Sequence, residues 1–353
     1  MNLNSIFLLI YVFFLSLTFY ILKKFGKNVE YNILYSIFRI GDRIGFLEKI
    51  SKSFLSKILE ILAIPTGFLA MFFSIYFILY GIKAKIPTIV PVIPGIEIYG
   101  IRFPFIEIII AIFLSALVHE LSHALLVLKN KLKIKSYGIF FLGPFLGAFV
   151  EPSEDVYRID KIKQIAIFHA GILANLLLAV LVILIGNLFH FYLVNSGNIQ
   201  VIIVGKVPNT TVENISGERL LYINQFKINS LSDIEKALMN YRPGDTIELI
   251  TNVSNYRIKL SNNNGKPFMG LYFTEEINNK SYRFIVNLLF WIMMISLGIG
   301  LGNALPIFIL DGGQSMKALL EIIFKNEEVA NKLYILISCL VIALIIVNFI
   351  VVL

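Results

Sequence analysis

The segment "LVHELSHALL" (Leu117–Leu126) sets two histidines and a glutamate inside an otherwise apolar run. On a helix, His119 and His123 are four residues apart and stack on one face, within reach of a single ion. Glu120 lies about 100° round the same helix, where it can reach a water on that ion without ligating it. Neutral imidazole suits Zn2+, which at a catalytic site takes three protein ligands and keeps one position for water. Such an ion lowers the pKa of its water to about 7. A neighbouring carboxylate can then take the proton and pass it to a leaving amine.

A random chain of this composition produces such a triplet about once in 500 cases, so chance alone is a weak explanation. The surroundings weaken it further, because a charged side chain at mid-bilayer costs about 2.5–3.5 kcal/mol on insertion scales. Two histidines leave one protein ligand to find. In "NALPIFILDGG" (Asn303–Gly313), Asp311 is the sole acidic residue between Glu276 and Glu321. Pro306 is expected to interrupt a helix there, and Gly312 and Gly313 to free the backbone around the carboxylate. Irregular backbone at membrane depth is tolerated where it is buried in protein or lines a watery cavity. The alternative for Asp311 is a helix N-cap in front of "GGQSMKALLEII".

The elements that must position these residues follow from composition. The chain has 353 residues, 57% hydrophobic and 15% charged, with a mean hydropathy of +0.80. Soluble domains are about 45–50% apolar and about 25% charged, so this is a multi-pass membrane chain. Six spans are expected, at Ile6–Leu22, Ile61–Ile82, Phe105–Leu128, Ile165–Phe189, Phe284–Leu305 and Tyr334–Leu353, each near the ~20 residues a bilayer requires. The net charge of +8 does not form a basic patch with interleaved aromatics, which argues against nucleic acid as a partner. Basic residues gather instead between spans: Lys23–Lys57, Lys129–Lys163 and Lys317–Lys332 are rich in them. Lys83–Pro104 holds only Lys83, Lys85 and Arg102. This pattern orients the N-terminus outward and puts the histidines near the cytosolic side. Cys339 stands alone, so no intrachain disulfide forms.

"NVEYNILYSIFRIGDRIGFLEKISKS" (Asn28–Ser53) has roughly helical spacing and reads as an interfacial helix. Asn195–Lys280 changes character, with β-rich runs ("VIIVGKV", "TIELITN", "YRIKLS"), turn residues, and a helix in "SLSDIEKALMNY". Ser232 with Glu235 offers that helix a capping box. The segment reads as a small soluble α/β domain inserted between membrane helices. Its sequons at Asn209, Asn214, Asn252 and Asn279 are the chance product of an Asn-rich stretch. His169 and His190 read as polar residues near helix ends.

A helix with HELSH, a later "NALPIFILDG", and a soluble insert between them resemble the site-2 protease family of intramembrane zinc metalloproteases. "FHAGILANLLLA" (Phe168–Ala179) is similar to that family's middle core helix, with Ile172 where proline is usual. "GPFLGAFVEP" (Gly143–Pro152) resembles its membrane-associated segment after the zinc-binding helix. The resemblance runs from about Phe105 to Lys325. It implies one Zn2+ per chain held by His119, His123 and Asp311, with Glu120 as general base. It also implies that Asn175 helps to hold the substrate or its oxyanion. The insert resembles a PDZ domain in its strand, helix and strand order and its "RPGD" turn, whereas "VPNTTVENI" shows no clear carboxylate-binding glycine loop.

The expected fold is an α-helical polytopic membrane protein of about six transmembrane helices. It has a three-helix catalytic core and an inserted PDZ-like α/β soluble domain. Its parts would be accessory helices with a cytosolic interfacial segment (1–103), the first part of the catalytic core (104–194), the PDZ-like extracytosolic domain (195–280), the second part of the core (281–325) and an accessory helix (326–353). The resemblance implies a multi-pass protein of the cell membrane that cuts transmembrane helices of single-span substrates trimmed first by another protease. "SYGIFFLGPFLGAFV" (Ser136–Val150) is β-rich and can pair with an extended substrate as an added strand. Two rivals differ in kind: a membrane zincin taking Glu321, Glu327 or Glu328 as third ligand, and a metal transporter or sensor without hydrolytic activity.

Overall fold

A computed structural model of the chain describes residues 3–25, 28–31, 35–142, 145–208 and 215–352. The expectations for residues 209–214, including two of the sequons and most of "VPNTTVENI", lie outside the described residues, as do Gly143 and Pro144. In chain order, α1 (Leu3–Phe25) leads to β1 (Val29–Tyr31), β2 (Tyr35–Gly41) and the short α2 (Gly45–Ile50). Then come α3 (Phe54–Ala84), a two-stranded ribbon of β3 (Glu97–Ile98) and β4 (Ile101–Arg102), and α4 (Phe105–Lys129). The hairpin of β5 (Ile134–Leu142) and β6 (Phe145–Pro152) precedes α5 (Lys161–Asn195). The next strands are β7 (Ile199–Lys206), β8 (Arg219–Ile223) and β9 (Phe226–Lys227), followed by α6 (Leu231–Leu238). Strands β10 (Thr246–Thr251), β11 (Asn255–Lys259), β12 (Ser261–Asn263), β13 (Lys266–Phe268) and β14 (Leu271–Ile277) follow. Three helices close the chain: α7 (Lys280–Asn303), α8 (Asp311–Phe324) and α9 (Glu327–Val352).

The chain divides into two compact units, one of residues 1–183 with 288–353 and one of residues 184–287. Among the described residues five helices, α3, α4, α5, α7 and α9, are long and apolar enough to cross a membrane. Helix α1 forms over 23 residues where the first span was expected. The chain is a multi-pass membrane protein carrying a strand-rich unit.

In the first unit, β1, β2, β5 and β6 form one antiparallel sheet in that order, so β6 is an edge. This corrects the expectation of an interfacial helix over Asn28–Ser53, of which, among the described residues, only α2 is helical. Tyr35 to Arg39 instead pair with Leu142 to Gly138 of β5. Aromatic and β-branched residues in "YSIF" (Tyr35–Phe38) favour this half-buried pleated surface, and β5 gains a partner for its otherwise unpaired edge. Helical spacing of the basic residues was misleading because Glu30 and Arg39 meet across β1 and β2 as an ion pair at 2.7 Å.

In the second unit the strand order is β11-β10-β8-β7-β14, with β9 on β8. Ile203, Leu220 and Leu249 are fully buried at its centre, and Ile234 and Ala237 of α6 pack onto the same core. The capping box of α6 is Ser230 with Asp233, two residues before the expected pair. The Asp233 carboxylate accepts from the N–H groups of both Asn229 and Ser230, each at 3.1 Å. Satisfying two backbone donors at once favours this start over Ser232.

Leu249→Ala removes a fully buried side chain and should destabilise the unit by about 2–5 kcal/mol. Hydrogen exchange on the full-length protein should show faster exchange across β7 to β14 while α4 stays protected.

Candidate metal centre

Helix α4 presents His119 and His123 on one face, with ring centroids 4.7 Å apart. Asp311 comes from the far side of a break between two helices. Helix α7 ends at Asn303, three residues ahead of Pro306, and α8 begins at Asp311 itself. Leu310 is the N-cap of α8 and makes no side-chain cap bond, so Asp311 does not serve as the cap. Its carboxylate turns to the imidazoles. Oδ2 lies 2.9 Å from Nε2 of His119 and 3.3 Å from Nε2 of His123.

The break leaves carbonyl groups that no helix can satisfy, and hydroxyls from neighbouring helices reach them. Ser74 on α3 donates to the Leu301 carbonyl at 2.7 Å. Ser338 and Tyr334 on α9 donate to Pro306 and Phe308, and Gln314 on α8 also donates to Phe308. The sequence offered Gly312 and Gly313 as points of backbone freedom, but they act by close approach. A Cβ at either would overlap the Ala304 or Ile307 carbonyl against which the first turn of α8 packs.

Helix α5 closes the other side. Gly171 and Asn175 are four apart and face α4 together. A Cβ on Gly171 would lie 2.5 Å from Nε2 of both histidines, so only glycine leaves the imidazoles room. The spacing in "GILAN" contained this signal, a small residue one turn before a polar one. Asn175 is fully buried, and its carboxamide lies 3.2 Å from Nδ1 of His119. Ser296 on α7 donates to the Asn175 backbone carbonyl at 3.0 Å. Nδ1 of His123 donates to the Ile167 carbonyl at 2.7 Å, which leaves its Nε2 lone pair directed at Asp311.

The three side chains fit a divalent metal. His119, His123 and Asp311 bring their ligand atoms within 4.8 Å of one another, and Nε2 to Nε2 is 3.0 Å. A tetrahedron with bonds near 2.0–2.1 Å has edges of about 3.3 Å, close to these separations. Both Nε2 atoms lie against the Asp311 oxygen as well as each other, the arrangement that ligands of one shared cation take. Their side chains are only 7, 13 and 20% exposed. Glu120 stays out of the cluster: its Oε2 accepts the Val150 N–H of β6 at 2.9 Å.

Other candidates fall elsewhere. Glu321 pairs with Lys161 and Glu328 with Lys332, and neither these nor Glu327 joins the histidines. His190 meets Glu275 at 2.7 Å, in the second unit. His169, expected near a helix end, is fully buried within α5, bonding Ser315 on α8 at 2.7 Å and the Ile64 carbonyl of α3. No charge pattern distinguished it, since its partners are far away in sequence.

An apolar helical frame around two imidazoles and a carboxylate defines a membrane protein with a hydrolase-type metal site. The sequence model of peptidase family M50 matches residues 107–347. The chain belongs to that family, the site-2 protease family of zinc metalloproteases, and is a membrane metalloprotease. It is 27% identical over 306 residues to the uncharacterized protein MJ0971 of Methanocaldococcus jannaschii, a match spanning 84% of this chain and 81% of the relative.

Gly171→Ala should weaken zinc binding by about 10–100-fold, as disturbance of ligand orientation does elsewhere. Metal content of the purified variant after competition with a chelator checks this.

Proposed function

We propose that this site-2-type protease hydrolyses peptide bonds within transmembrane helices of single-span membrane proteins. Zinc would be held by His119, His123 and Asp311. The observation that carries the reading is the convergence of these three side chains from two helices 192 residues apart, with Glu120 beside them but uncoordinated.

Bound zinc supplies Lewis acidity, making water a nucleophile near neutral pH and polarising the scissile carbonyl. The protein's own groups do the rest. Glu120 takes a proton from the attacking water and returns it to the leaving amine. The Val150 N–H holds Glu120 in place. For His119 to ligate through Nε2 its proton must sit on Nδ1, and the Asn175 carboxamide then turns its oxygen to accept it. On this reading Asn175 is a positioning residue behind the ligand.

A substrate helix hides its peptide bonds in its own hydrogen bonds and must unwind before attack. The edge of β6 offers it other partners. Val150 directs its N–H away from β5 towards Glu120, and by strand alternation Ala148 directs its N–H the same way. An extended substrate segment would pair there as a fifth strand. The strand-rich unit reads as a PDZ-like filter on the extracytosolic side, admitting substrates already trimmed by another protease. The metal site would lie towards the cytosolic face, following the distribution of basic residues.

Glu120→Gln should keep zinc while cleavage of a single-span substrate by the purified enzyme falls about 10²–10⁴-fold. Asp311→Asn should lose both, and a chelator should abolish wild-type cleavage until zinc returns. Full activity of either variant would refute its assigned role. Ala148→Pro should lower cleavage with zinc content unchanged, because proline removes the outward N–H.

A further inference from the structure

The corner between α2 and α3, with the C-terminal end of α4, frames an open pocket of about 430 Å3. Ser51, Ser53, Lys52, Lys57, Lys129 and Lys131 line it. Of these four lysines, Lys129 has a counter-charge in Glu60 at 3.2 Å, and Glu60 is also engaged by the Asn130 carboxamide at 2.8 Å. Among the described residues, Lys52, Lys57 and Lys131 form no ion pair.

The N-terminus of α3 opens at the same place. Ser53 is its N-cap, and the first turn contains no acidic residue. Unsatisfied N–H groups at a helix start carry the equivalent of roughly half a positive charge and favour Asp or Glu nearby. Here lysines 52 and 57 bracket that start. The local charges therefore repel one another, and a single anion would relieve all of them together.

The surroundings narrow the class of anion. Phe54 and Leu55 are 76% and 55% exposed, side by side at the start of an apolar helix of 31 residues. The cavity thus sits where a membrane helix meets the headgroup layer, with apolar surface on one side and ammonium groups on the other. An inorganic anion has no use for that apolar surface, whereas a lipid does. We infer that the cavity binds the phosphate group of an anionic phospholipid, whose acyl chains lie along Phe54 and Leu55. This site is separate from the metal centre and stands whether or not the proteolytic reading holds.

The test uses the full-length protein in nanodiscs of phosphatidylcholine with phosphatidylglycerol, transferred to detergent, with retained lipid counted by native mass spectrometry. The wild type should retain one phosphatidylglycerol per chain. K52Q/K57Q/K131Q should retain at least about tenfold less, since each lysine near an anionic headgroup contributes substantially. K52R/K57R/K131R, which keeps the charge, should restore retention. A control at basic residues outside the cavity, K133Q/K163Q/K325Q, should behave as wild type. Unchanged retention in K52Q/K57Q/K131Q would overturn the site, as would equal loss in the control. Saturable binding of inorganic phosphate with no lipid retained would overturn the lipid as occupant.

Discussion

Backbone carbonyl groups in a membrane must find donors within the protein, and this requirement governs the approach to Asp311. A carboxylate on the second ligand-bearing segment can reach α4 only if the chain stops being helical between Asn303 and Asp311. In water the exposed carbonyls would be solvated at little cost. In lipid each would be a liability of several kcal/mol. The protein answers with Ser74, Tyr334, Ser338 and Gln314, so α3 and α9 are bound into the chemistry although neither supplies a ligand.

The metal centre shows the same economy of contacts. Each imidazole has one nitrogen towards the ligand cluster and the other towards a fixed partner, Asn175 for His119 and Ile167 for His123. Helix α5 carries both partners and also Gly171, whose missing side chain lets the rings fit. One helix therefore sets the spacing, tautomer and orientation of the ligands on another. His169 extends this bracing, joining α5 to α8 through Ser315 and to α3 through the Ile64 carbonyl.

Much of this was legible in the sequence for one reason: ionisable groups in apolar runs are costly and seldom incidental. His119, Glu120, His123 and Asp311 stood out on that ground, and the apolar runs themselves marked α3, α4, α5, α7 and α9. The β-rich character of Ser136–Val150 was also visible and appears as β5 and β6. Other features depend on partners far along the chain. Single serines in apolar helices give no hint that Ser74 and Ser338 complete a distant loop. Strand β2 resembled a helix because its polar spacing fits either period until β5 is known as its neighbour. The α6 start was ambiguous because two capping boxes overlap, and the Asn229 and Ser230 N–H groups together decide between them.

The bond between Val150 and Glu120 has a consequence for selectivity. It ties the Glu120 carboxylate to one rung of a ladder. A substrate paired along β6 would present its residues in steps of two, through main-chain atoms that every amino acid shares. The enzyme would then behave as a ruler, strict about the distance from an entry point to the cut and tolerant of the side chains found there. What protects most bystander helices would be their reluctance to uncoil, so a helix-weakening glycine or proline at the right depth would count for more than any consensus sequence.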